Sequence, residues 1–113
     1  MTKKRLQPDD RKQEILNAAI KVAGRPGGWA KLTRDAVAKE ADCAEGLPSK
    51  YFGTMVNFRR AIMREVIRLA KLGSTPPAIY HSVIVQGLVA GDKCAQKAPP
   101  ELKAAAVESL AGV

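Results

Sequence analysis

Apolar residues recur at three- and four-residue intervals through most of this chain, and glycine- and proline-rich points interrupt the pattern at a few places. Ile15, Leu16, Ala19, Val22 and Ala23 form the first helical stripe, with Arg11, Lys12 and Lys21 on the wet side. Pro8 suits the first helical position, where a missing N–H costs nothing, and Asp9, Asp10 and Glu14 complement the positive dipole end. Gly24, Pro26, Gly27 and Gly28 end this helix, and Trp29 reads as a core plug closing the corner. Thr33 then caps a second helix running to about Ala41, with Val37 and Ala38 facing inward and Ala36, Ala38 and Ala41 small enough for close crossing. Asp42 to Gly46 is a corner. After it, Leu47 to Phe52 leaves room for only a very short helix before Gly53, with Pro48 confined to its first turn.

Thr54 and Asn57 open the most strongly periodic segment, a helix over about 54–72. Met55, Phe58, Ile62, Val66 and Leu69 form its apolar stripe, and Arg60, Arg64, Arg68 and Lys71 form a basic one. Gly73-Ser74-Thr75-Pro76-Pro77 is the one internal boundary. Thr75 is positioned to cap a helix over about 78–97, with Ile79, Val83, Leu88 and Val89 apolar. Gly87 and Gly91 each cost that helix about 1 kcal/mol relative to alanine, so packing must hold it together. Ala98-Pro99-Pro100-Glu101 breaks the chain again before an alanine-rich helix over about 100–111. There are no repeats, and strand-like character is limited to Val83-Ile84-Val85. The expected fold is all-α: a basic arm (1–7), a helical head (8–72) and a short helical region (73–113).

Composition narrows the function. The chain has 113 residues, enough for one domain with a modest core, and its 4% aromatic content implies aliphatic packing. Its net charge of +8 lies wholly in residues 1–72, which hold 16 Lys and Arg against 8 Asp and Glu. Residues 73–113 hold three of each. A polyanion is the expected partner of the first part, and protein of the second. Cys43 and Cys94 lack metal-ligand spacing, so no metal or other cofactor is expected, and both read as small buried hydrophobes in a reducing compartment. There is no secretory h-region and no apolar run long enough for a membrane span, so a cytoplasmic protein is expected. An enzyme is disfavoured. His81 is the only histidine, Glu101 and Glu108 sit in a bland helix, and no nucleophile–base pair is apparent.

Residues 11–58 resemble the DNA-binding head of the tetracycline-repressor (TetR) family of transcriptional regulators, and the resemblance extends loosely to about 72. It is carried by Arg11…Ile15-Leu16…Ala18-Ala19, the turn at Gly28, Leu32-Thr33…Val37-Ala38…Ala41, the small-residue corner ending at Gly46, Tyr51-Phe52-Gly53 and the long fourth helix. The chain departs from the family pattern at Ala44, where serine or threonine is usual, and at Pro48-Ser49, where an aromatic commonly contacts phosphate. It departs again at Met55, where lysine is common. The resemblance implies a helix-turn-helix that presents Glu45, Leu47, Ser49 and Lys50 to the major groove. Lys50 can donate to guanine or phosphate, Ser49 can contact either, Leu47 can meet a thymine methyl, and Glu45 can accept from cytosine or exclude wrong sequences. Thr33 and Arg34, at a helix start, and the Tyr51 hydroxyl are candidate phosphate clamps. Tyr51 equally suits the core. Lys3, Lys4 and Arg5 can follow the DNA backbone or the minor groove.

One such head makes few contacts, so a homodimer on a palindrome is expected, with 78–111 as its interface and His81 beside Tyr80 packed there. TetR-like regulators typically carry a large inducer-binding domain, and the region after Gly73 is too short to wall a pocket of that kind. The expectation is therefore a ligand-independent repressor without a small-molecule inducer. The competing reading is an antitoxin- or adaptor-like helical module that uses its basic face on an acidic protein. An RNA-binding protein is disfavoured by the scarcity of aromatics for base stacking.

Overall fold

Helix α1 (Pro8–Gly24) is the scaffold on which the rest is laid. The computed structural model describes residues 8–72 and 77–111, which form seven helices and no strand. The basic arm, the Thr75 cap and Gly73–Pro76 lie outside the described residues. After α1 come α2 (Arg34–Ala41), α3 (Leu47–Phe52), α4 (Met55–Leu72), α5 (Ala78–Val89), α6 (Lys93–Gln96) and α7 (Pro100–Ala111). α1 packs on α2, α4 and α5, while α3 is wedged against α2 and α4. α5 in turn contacts α1, α4, α6 and α7.

One hydrophobic core runs through all of it. Ile15, Ala19 and Ala23 of α1 meet Trp29, Val37, Phe58, Ile62, Val66, Val83, Ile84, Ala95 and Ala106 in a single cluster. The expected stripe of α4 is present, with Phe58, Ile62 and Val66 fully buried, and Met63 joins them. Trp29 closes the corner after α1, 3% exposed. Arg59 pins that corner from α4, donating to the Trp29 and Leu32 carbonyls while its guanidinium lies 5.0 Å from the Trp29 ring centroid.

One expectation for the C-terminal region needs correction. The helix expected over 78–97 ends at Val89. Gly91 adopts φ +78°, and the N–H groups of Gly91 and Asp92 fold back onto the Leu88 and Gly87 carbonyls at 3.1 and 2.8 Å. Asp92 then accepts from the Ala95 N–H at 2.9 Å and starts α6 afresh. α5 itself packs against α1, α4, α6 and α7 of its own chain. His81, Val83, Ile84 and Gly87 are buried, while Ala78 and Val89 at its two ends stay exposed. His81, expected at a dimer contact, is buried within one chain, and neither ring nitrogen has a hydrogen-bond partner among the described residues.

Polar side chains fasten α5 to the head. Ser82 Oγ donates to the Gly24 carbonyl at 2.8 Å, and Gln86 Nε2 donates to the Ala23 and Arg25 carbonyls at 2.8 and 3.1 Å. Gln86 Oε1 accepts the Trp29 N–H at 2.9 Å. Carbonyls left unpaired at the end of α1 thus find their donors on α5.

Glu65 is a buried charge on α4 that the periodicity did not single out. Arg68 grips its carboxylate with two bonds of 2.8 and 2.9 Å, and Gln13 of α1 donates a third at 2.7 Å. The hydrogen bonds from Arg68 hold the Glu65 carboxyl below the usual glutamate range, more strongly than burial raises it. A carboxyl whose folded pKa lies below its unfolded value stabilises the fold above about pH 4.5, and this contribution is lost as the pH falls through the folded value. Glu65→Gln is therefore expected to cost about 1 kcal/mol at pH 7, because Arg68 is half exposed and its attraction is screened. The gap in Tm from the parent protein should narrow progressively as the pH falls below about 4.5, which thermal melts across pH would check. A gap that stays constant with pH would assign the loss to packing.

Candidate nucleic-acid interface

The α2–α3 corner is shaped by local chemistry. Thr33 has extended backbone angles and its Oγ1 accepts the Ala36 N–H at 3.1 Å, which starts α2. At the other end Asp42 is left-handed, with φ 55° and ψ 51°. The Asp42 and Cys43 N–H groups turn back onto the Lys39 and Ala38 carbonyls at 3.2 and 3.0 Å, and the chain leaves the helix axis. α3 begins at Leu47 with Pro48 in its first turn, as expected, so the proline's missing donor falls among groups a helix start leaves unpaired. Pro48 is buried, and Gly53 ends the helix by donating to the Ser49 carbonyl at 2.8 Å.

α3 is too short to be stable alone and is held by three attachments. Phe52 stacks on Phe58 of α4, with centroids 5.0 Å apart and planes 22° from parallel. Lys12 of α1 lies 5.9 Å from the Phe52 ring centroid. Arg34 of α2 spans the corner, where its Nη1 donates to Ser49 Oγ at 2.8 Å and to the Gly53 carbonyl at 3.2 Å. That single guanidinium nitrogen ties the start of α2 to the middle and the end of α3.

These attachments sort the expected contact residues. Lys50 and Glu45 are exposed and point away from the core. Thr33 is exposed, and capping uses its oxygen as an acceptor while leaving the hydroxyl hydrogen to donate. Leu47 and Tyr51, offered as groove and phosphate contacts, are half-buried and pack against the hydrophobic cluster. Arg34 and Ser49 are partly spent on each other; Nη2 and Nε of Arg34 remain the guanidinium donors it can offer outward. Lys3, Lys4 and Arg5 lie outside the described residues.

Two features escaped the sequence reading. Lys12 was placed only on the wet side of α1, since periodicity does not say which neighbour that side faces. The Arg34–Ser49 bracket joins residues with no sequence spacing of their own. Cys43, at the corner, is half-buried rather than buried, as is Cys94. Burial keeps the Cys43 thiol above its usual pKa, with Arg11 opposing the effect, so the thiol is no activated nucleophile. Among the described residues, no group of three or more His, Cys, Asp and Glu converges as metal ligands would, and no helix is long and apolar enough to cross a membrane. No protein-family model matches the chain, and neither a curated protein nor a solved structure matches it.

Proposed function

We propose that this chain is a sequence-specific regulator that binds double-stranded DNA, using α2 and α3 as a helix-turn-helix of the TetR type and acting as a dimeric, ligand-independent repressor at a palindrome. The observation that carries this reading is the seating of α3. A helix too short to stand alone is braced from α1, α2 and α4, and the side it presents outward is polar and carries Lys50. Such bracing makes sense for an element that must enter a groove without reordering, because each side chain ordered on binding costs affinity. The exposed starts of α2 at Thr33 and of α4 at Thr54, whose Oγ1 accepts the Asn57 N–H at 3.2 Å, supply helix N-termini for flanking phosphates. Cations carried on α1, α2 and α3 supply the sequence-independent attraction.

Selection of bound duplexes from a random DNA pool tests the proposal. A palindromic consensus is expected, with affinity that falls steeply with salt. Lys50→Ala should weaken binding to that consensus by about ten-fold and relax preference at one position per half-site, as expected for a lost base contact. A pool that returns no consensus, with binding indifferent to Lys50, would remove the reading.

A further inference from the structure

A second cationic feature lies away from α3, where α4 meets α6. Arg64, Ile67 and Lys71 of α4, together with Cys94, Lys97, Ala98 and Pro99, line a cleft of about 310 Å³. Arg64 and Lys71 lie about 9 and about 20 Å further along the α4 axis than Phe58, where α3 is seated, at about 1.5 Å per residue. The basic stripe of α4 therefore divides. Arg68 turns back to Glu65, which faces α1, while Arg64 and Lys71 face the cleft. All three lining cations are exposed, and among the described residues no carboxylate pairs with them.

Like charges gathered around one concavity with no internal counter-ion repel, and an anion relieves that repulsion. The floor adds a second requirement. Ile67, Cys94 and Pro99 are half-buried and Ala98 is buried, so the cleft bottom is apolar. A DNA backbone is convex and leads with its phosphates, so it reaches the rim cations but leaves a recessed apolar floor uncovered. A protein segment that alternates acidic with large apolar side chains satisfies both, with carboxylates on the rim and an aliphatic or aromatic group on the floor.

We propose that the α4–α6 cleft is a docking site for an acidic, hydrophobic segment of a partner protein, separate from the α3 surface and independent of the DNA-binding reading. The site gives the chain a route to recruit or answer to another protein. The test uses the full chain and a short fluorescein-labelled peptide alternating Asp or Glu with Leu and Phe, followed by anisotropy. Arg64→Glu and Lys97→Glu are each expected to weaken binding about ten-fold, while Lys21→Glu on α1, the same change in net charge, should alter it by less than about two-fold. A peptide with Leu and Phe replaced by Ser should bind about ten-fold more weakly than the parent peptide. Both cleft substitutions are at exposed positions, and two separate variants guard against a folding defect in either. Equal weakening by Lys21→Glu and Arg64→Glu, or equal binding of the Ser peptide, would overturn the proposal by reducing the cleft to diffuse charge. So would a loss of duplex binding in Arg64→Glu with peptide binding unchanged, because the cleft would then belong to the DNA surface.

Discussion

Phe58→Ala is expected to remove about 3–5 kcal/mol of folding stability, out of a total of about 5–15 kcal/mol for a domain of this size. Phe58 is fully buried and stands where α1, α3 and α4 converge. Its ring also carries the stack with Phe52, worth roughly 0.5–1.5 kcal/mol beyond area burial. The expected readout is a Tm lower by roughly 10–20 °C in thermal unfolding followed by circular dichroism. Phe58→Leu separates the two contributions. It keeps most of the volume and should cost the fold about 1.5 kcal/mol or less, while the Phe52 stack is lost and α3 is seated less firmly. Faster amide exchange confined to α3 in that variant would show the loosened seat. A melting temperature for Phe58→Ala within about 2 °C of the parent would contradict the packing described here.

Gly28→Ala is the second large effect, and its cause is space rather than core volume. A Cβ on Gly28 would lie 2.1 Å from the Val22 carbonyl oxygen, 2.9 Å from that of Arg25 and 3.0 Å from that of Ala23. All three are backbone atoms, so no side chain can swing aside. Relief requires unwinding the last turn of α1 or opening the turn in which the Gly28 N–H donates to Arg25 at 2.7 Å. Either movement disturbs the carbonyls that Gln86 and Ser82 bind, and loosens α5 from the head. A loss of about 2–4 kcal/mol is expected, with retention of helix but earlier melting. Gly46→Ala, at the α2–α3 corner where an added Cβ meets nothing within 4 Å, is the matched control and should be close to neutral. Indistinguishable melts for the two variants would show that the turn yields more easily than its geometry implies.

The bracing of α3 unites these effects with the proposed activity. Phe58 lies beneath the helix, Arg34 ties it at the side and Lys12 covers the Phe52 ring, while Lys50 stays outward. Arg34→Ala removes both bonds across the corner, and its effect on duplex binding would report positioning together with any direct phosphate contact.

How much of this was legible in the chain follows from the range of the forces involved. Caps and breakers act within one turn, so Thr33, Pro48, Gly53, Thr54 and Pro100 marked their helices where the structure has them. The break at 90–92 was missed because apolar residues continue through Val89 and Cys94, and because glycine inside a helix is only mildly unfavourable. The left-handed conformation of Gly91, with Asp92 as a new cap, decided the matter. In the candidate site, Lys50 and Glu45 were legible as exposed residues of a short polar element. The inward packing of Leu47 and Tyr51 was not, since α3 offers less than two full turns from which to read a periodicity.

By itself the sequence determined the helical class, the helix starts at Thr33 and Thr54, the apolar stripe of α4 and the concentration of charge in residues 1–72, because each depends on residue type and short-range spacing. Tertiary structure alone decided that Ser82 and Gln86 close the end of α1, that Arg34 takes Ser49, that Glu65 is gripped by Gln13 and Arg68, and that Arg64, Lys71 and Lys97 share one cleft. Those relations depend on how each helix is rotated about its own axis against its neighbours. That rotation is set by the whole core at once and by no segment within it.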